Sequence, residues 1–161
     1  MNYTKFVREY CKNNSGAFFD VSKLKDTEFS EVPYKTLLKI LNKKGGEVLM
    51  SSHVYEFRNA ERVIEIALEQ QRRGADIVKI VTGANTQEEE IKNLEICRLL
   101  KQELKVPFLF LSGGKYSYLH RAVGPALGVC MWLCFREYDE FTYPGPPLLS
   151  DVLKIKQGLK L

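Results

Sequence analysis

Two apolar runs of strand length, residues 47–52 and 76–81, lie on either side of one segment of helix length, residues 59–73. Strand, helix and strand in that order make a βαβ unit, whose crossover sets the two strands parallel. Parallel strands bring their carboxyl ends to one side of the sheet, and active sites of α/β proteins form there. His53 leaves the first strand and Lys79 stands near the end of the second. The unit therefore makes neighbours of two residues well separated in sequence.

Alternation supports the pairing. His53 shares a strand face with Leu49 and Ser51, and Lys79 shares one with Ile77 and Val81. A lysine inside an apolar strand is costly unless it is neutral, paired or beside an opening. Strand period alone leaves open which face is interior.

The rest of the chain repeats the pattern. Tyr3, Phe6, Val7, Tyr10 and Cys11 fall on one helical face, and residues 17–21 read as a short strand. Residues 34–42 have helical spacing and close on Lys43-Lys44-Gly45-Gly46. Val63, Ile66, Ala67 and Gln70 form the stripe of the next helix, which stops at Arg72-Arg73-Gly74. Thr86 and Glu89 make a capping-box pattern ahead of a helix carrying Ile91, Leu94, Cys97 and Leu104. Residues 106–111 and 129–135 read as strands, 118–127 as a short helix, 136–147 as a loop and 149–159 as a closing helix. The expected fold class is α/β, one helix followed by five βα units over residues 1–161. Units of this size suit a (β/α)8 barrel or a doubly wound sheet. A whole barrel needs about 250 residues, so a barrel of this length is expected to be open or truncated, with about five units.

Composition narrows the function. The net charge of +4 suits a small anionic ligand, and neither a basic tract interleaved with aromatics nor zinc-finger spacing points to nucleic acid. No long uncharged apolar run suggests a membrane span. The first residues lack the apolar core of a signal peptide, so a cytoplasmic location is expected. Cys11, Cys97, Cys130 and Cys134 lie within apolar patterns and read as buried free thiols in a reducing compartment. No metal site or cofactor is expected. Ser112-Gly113-Gly114-Lys115 lacks the Walker spacing and reads as a turn. Glu88-Glu89-Glu90 reads as an acidic first helical turn, favourable to the helix dipole.

Ser51-Ser52-His53, then Gly74-Ala75-Asp76-Ile77-Val78-Lys79-Ile80, then His120-Arg121 ahead of Gly124 and Gly128, then Tyr143-Pro144-Gly145-Pro146, occur in an order and spacing that resemble the carboxyl-terminal part of a type I 3-dehydroquinate dehydratase. The resemblance runs from about residue 3 to the end. It implies a (β/α)8 barrel of which this chain supplies roughly strands four to eight. It also implies metal-free dehydration of 3-dehydroquinate to 3-dehydroshikimate, a step of the shikimate and quinate pathways, through a lysine Schiff base. On this resemblance Lys79 matches the Schiff-base lysine and His53 the general acid/base. Arg121 matches the arginine that binds the substrate carboxylate. Tyr55 lies at an aromatic pocket position and Thr142 replaces a serine of the substrate-covering loop. His120, where the family has serine, reads as structural. Val54 stands where aspartate is usual, Gly113 where methionine is common, and Pro146 where a glutamine bonds substrate.

The residue types suit that chemistry. A lysine attacks a ketone as the neutral amine, so its reference pKa of about 10.4 must fall. Histidine exchanges protons near neutrality. Arginine grips a planar carboxylate with two parallel hydrogen bonds. Three readings stand at this point. The chain is a Schiff-base dehydratase, its barrel completed by a second copy or another chain. It is a non-catalytic relative that binds a quinate-like ligand or a protein. Or it is a lyase of class I aldolase type, against which His53 and Arg121 argue.

Overall fold

The computed structural model describes residues 45–161 apart from Phe141 and Pro144. The sequence-predicted helices over residues 3–11 and 34–42 and the strand over 17–21 lie outside the described residues. Glu47–Leu161 form one compact unit, to which everything below refers.

Its elements run β1 (Leu49–His53), α1 (Ala60–Arg72), β2 (Ile77–Gly83), α2 (Gln87–Glu103), β3 (Phe108–Gly113), α3 (Tyr118–Val123), a 3-10 turn (Gly124–Leu127) and α4 (Leu149–Gly158). Among the described residues the strands make one parallel sheet in the order β1-β2-β3. Parallel strands pair residues that point to the same face. Met50, Ser52, Val78, Ile80, Thr82, Phe108 and Phe110 therefore share one face, and Ser51, His53, Lys79 and Val81 share the other.

The first face carries the helices. Val63 and Ala67 of α1 and Ile96, Cys97 and Leu100 of α2 are buried with Val78, Ile80 and Phe110 in one apolar core. Gln70 sits on the same stripe of α1 as Val63 and Ala67, and its amide donates to Ser52 Oγ (2.8 Å) and to the Lys79 carbonyl (3.2 Å). A buried amide thus ties β1 and β2 together behind the face that bears Lys79. Asn59 caps α1 by accepting from Arg62 N, as Thr86 caps α2 by accepting from Glu89 N. The Glu89 carboxylate accepts from Asn85 N rather than from the cap residue itself, a capping box displaced by one residue.

Three expectations are corrected. The buried face of α2 is Glu90, Asn93, Ile96, Cys97 and Leu100, while Ile91 is 59% exposed and Leu94 only half-buried. A polar network, described below, replaces the apolar stripe at the start of this helix. Residues 129–135 do not form a strand. Cys130 N donates to Phe108 O, and Phe135 makes one isolated bridge to Leu148, with no ladder between. The Trp132 indole donates to the Ala122 carbonyl (3.4 Å), so the run leans on α3 instead of keeping register with β3. Cys130 is exposed, whereas Cys97 is buried as expected, and burial pushes its thiol pKa up to about 12.

At the carboxyl end of β2, Gly83 is required by close approach. A Cβ there would overlap the Tyr55 carbonyl, and Gly83 N donates to Glu56 O (3.1 Å). The loop after β1 is thereby strapped across the end of β2. Gly83→Ala should force that strap away and destabilise the unit by about 1–3 kcal/mol. The midpoint of urea unfolding measures this.

Candidate active site

Register decides which side chains meet. Ser51 pairs with Lys79 and His53 with Val81. His53 and Lys79 are thus one pleat apart on adjacent strands, about 8 Å between Cα atoms by ordinary strand spacing, on the face away from the helices. His53 is exposed at the strand end. Lys79 is half-buried, between Val78 and Ile80, which are fully buried on the opposite face. Tyr55 follows in the strap, 81% exposed, its ring edge-on to His53 with centroids 6.1 Å apart.

Arg121 lies in α3, beyond the carboxyl end of β3 and on the same side of the sheet as the other strand ends. It is half-buried in a cleft lined by Phe110, Leu111, His120, Gly124 and Trp132 among others. Lys79 and His53 do not line that cleft. Arg121 Nε is buried without a hydrogen-bond partner among the described residues. Burial lowers its pKa, and Tyr143 and Glu90 oppose the shift. Tyr143 stacks edge-on against Phe135, at 5.8 Å, in the loop that holds Thr142. The Thr142 hydroxyl both accepts from Asp139 N and donates to Asp139 O, each at 2.9 Å, and so closes its own turn. The structure therefore forms two groups on one side of the sheet: His53, Tyr55 and Lys79 at β1 and β2, and Arg121 with Tyr143 after β3. Among the described residues no cluster of His, Cys, Asp and Glu could hold a metal ion.

A buried polar network runs from the end of β2 to the start of α3, and the sequence reading missed most of it. Glu90 is 4% exposed. Its carboxylate accepts from Ser112 Oγ and from His120 N, both at 2.8 Å. Asn93 donates to Ser112 Oγ (3.0 Å) and to the Gly83 carbonyl (3.2 Å). The signal was the helical spacing of residues 90, 93, 97 and 100, which marks one face whatever its polarity.

His120 is buried against β3. Its Nε2 lies 2.8 Å from the Phe110 carbonyl, which only accepts, so Nε2 carries the proton. Nδ1 is buried without a partner among the described residues. A second proton there would find no acceptor. Burial lowers the imidazole pKa, and Arg121 adds to this, against the Phe110 carbonyl and Glu90. With the folded pKa below the unfolded value of about 6.5, the unfolded state binds more protons as pH falls under that value. The stability from neutral His120 is present above pH ~6.5 and is lost below it. Urea midpoints should fall between pH 7 and 5. His120→Gln, which keeps a donor toward Phe110 but does not titrate, should flatten that slope.

The model of the type I 3-dehydroquinase family matches residues 8–156. The chain belongs to the type I 3-dehydroquinases. It is 32% identical over 127 residues to the 3-dehydroquinate dehydratase of Alkaliphilus oremlandii (strain OhILAs), covering 76% of this chain and 48% of that protein. It is 25% identical over 135 residues to that of Hydrogenobaculum sp. (strain Y04AAS1), covering 82% and 58%. Among solved structures, the Geobacillus kaustophilus HTA426 3-dehydroquinate dehydratase superposes with a TM-score of 0.73 at 18% identity, over 78% of this chain and 49% of that one. The type I enzyme of Clostridium difficile, solved with covalently modified comenic acid, superposes at 0.71, also at 18% identity and over the same shares. These neighbours are (β/α)8 barrels, and the unit described above shares with them the α/β class and the parallel sheet. The chain spans about half the length of the relatives it matches. No helix among the described residues is long and apolar enough to cross a membrane.

Proposed function

We propose that this type I 3-dehydroquinase chain carries the reacting half of a 3-dehydroquinate dehydratase site. The neutral Lys79 amine adds to the substrate ketone and, with uptake of one proton, expels water, leaving an iminium. That cation draws electrons from the adjacent carbon. His53 removes the proton there and delivers one to the departing hydroxyl, which leaves as water. Hydrolysis of the iminium then returns Lys79 and releases the enone product. Arg121 holds the substrate carboxylate, and Tyr55 and Thr142 border the pocket.

The observation that carries this reading is the register that sets His53 one pleat from Lys79 on the face the helices leave uncovered. The first step needs Lys79 as the neutral amine. The barrel around the site is completed by residues beyond this span, from a longer chain, a second copy or another protein. Mixing the protein with 3-dehydroquinate should raise absorbance from the conjugated product.

One observation favours a second reading, a non-catalytic member that binds a quinate-like ligand or a protein. The Thr142 hydroxyl is spent within its own turn, and buried Pro146, which has no side-chain donor, accepts from the Tyr138 hydroxyl at its carbonyl (2.9 Å). A loop bonded to itself in this way offers less to substrate. Saturable binding of 3-dehydroquinate with neither product nor a trapped imine would select this reading.

A further inference from the structure

We infer that Glu90 is a positioning residue for Arg121, holding the short helix α3 in place from outside that helix. The inference rests on the reading of Arg121 as the carboxylate anchor.

Helix α3 has six residues. A helix that short does not hold itself in water. Its cap residue, Ser117, makes no side-chain hydrogen bond to the helix, and its hydroxyl donates to the Gly114 carbonyl. The first-turn N–H of His120 goes to Glu90 Oε1 on α2, thirty residues earlier in the chain. The other carboxylate oxygen, Oε2, accepts from Ser112 at the end of β3. Ser112 is in turn bonded to Asn93, and Asn93 to the carbonyl of Gly83 at the end of β2. A continuous set of buried hydrogen bonds thus runs from the end of the Lys79 strand to the residue preceding Arg121.

Arg121 Nε is buried with no partner among the described residues, and Arg121 N donates to the Ser117 carbonyl (3.1 Å), so the start of α3 carries the backbone from which the side chain extends. Glu90 also places a carboxylate near that guanidinium, where it favours the charged form against burial. Removing the carboxylate would leave the His120 N–H and the Ser112 hydroxyl without acceptors in a dry site. It would also free the start of α3.

The test is a titration of 3-dehydroquinate with borohydride trapping, read as the half-saturating concentration and the plateau of adduct, in the wild type and in E90A, E90Q, R121A and E90A/R121A. Amide hydrogen exchange across α3 is measured on the same proteins without ligand. E90A should raise half-saturation about tenfold at an unchanged plateau, because a lost buried bond loosens the anchor and spares the amine. The double variant should be no weaker than R121A alone. E90Q, which keeps an acceptor for the His120 N–H, should restore most of the loss. Exchange in α3 should quicken in E90A and not in E90Q. Wild-type half-saturation in E90A, or full additivity with R121A, would overturn the inference. A wild type that forms no adduct contradicts the lyase reading instead. Exchange then decides the role of Glu90, and unchanged α3 protection in E90A rejects it.

Discussion

Lys79→Ala is expected to abolish both the borohydride-trapped adduct and any turnover of 3-dehydroquinate, while the chain stays folded. The loss should be complete because the proposed route passes through a covalent bond to this nitrogen, and no neighbouring side chain can substitute at that register. Stability should change little. Lys79 is half-buried on the face away from the helices, and Val78 and Ile80, which pack under the helices, keep their place. The bond from Gln70 reaches the Lys79 carbonyl rather than its side chain, so α1 keeps its hold on the strand. Circular dichroism and a urea midpoint close to wild type would separate lost chemistry from lost fold. Lys79→Arg should be equally inactive, since a guanidinium keeps its proton at any working pH and cannot attack a ketone. Full turnover in either variant would remove Lys79 from the mechanism.

His53→Ala is expected to lower dehydration by about 10²–10⁴-fold, the usual contribution of one positioned acid/base group. It should leave imine formation largely intact. The two variants therefore fail differently: Lys79→Ala gives no adduct, and His53→Ala gives adduct without product. His53 is exposed at the end of β1 and beside the Tyr55 ring, so its removal costs the core nothing. Equal turnover of His53→Ala and wild type would assign the proton transfers elsewhere.

How far the sequence led depended on how local the signal was. The βαβ unit from β1 to β2 was legible because two apolar runs, an Asn cap and a Gly stop act over a few residues each. That His53 and Lys79 come near each other followed from parallel order, while the register that sets them one pleat apart was visible only in the structure. The α2 face was misread because apolar residues were counted, and the face is buried through Glu90, Asn93 and Cys97 instead. Burial of a carboxylate depends on donors brought in from β3 and α3, which no window of α2 contains. The run at residues 129–135 has the composition of a strand. Whether it pairs depends on register with β3, and there the bond from Trp132 to α3 wins. Arg121 was singled out through the family resemblance, but the bonds from Glu90 to its helix were visible only in three dimensions.

The central claim is a covalent imine at Lys79. The most direct measurement is borohydride reduction of the protein in the presence of 3-dehydroquinate, followed by intact mass and peptide mapping. The expected result is one substrate-derived mass increment, carried on the peptide that contains Lys79 and absent from Lys79→Ala. A folded protein that binds 3-dehydroquinate yet gains no mass, or gains it on another lysine, would contradict the account.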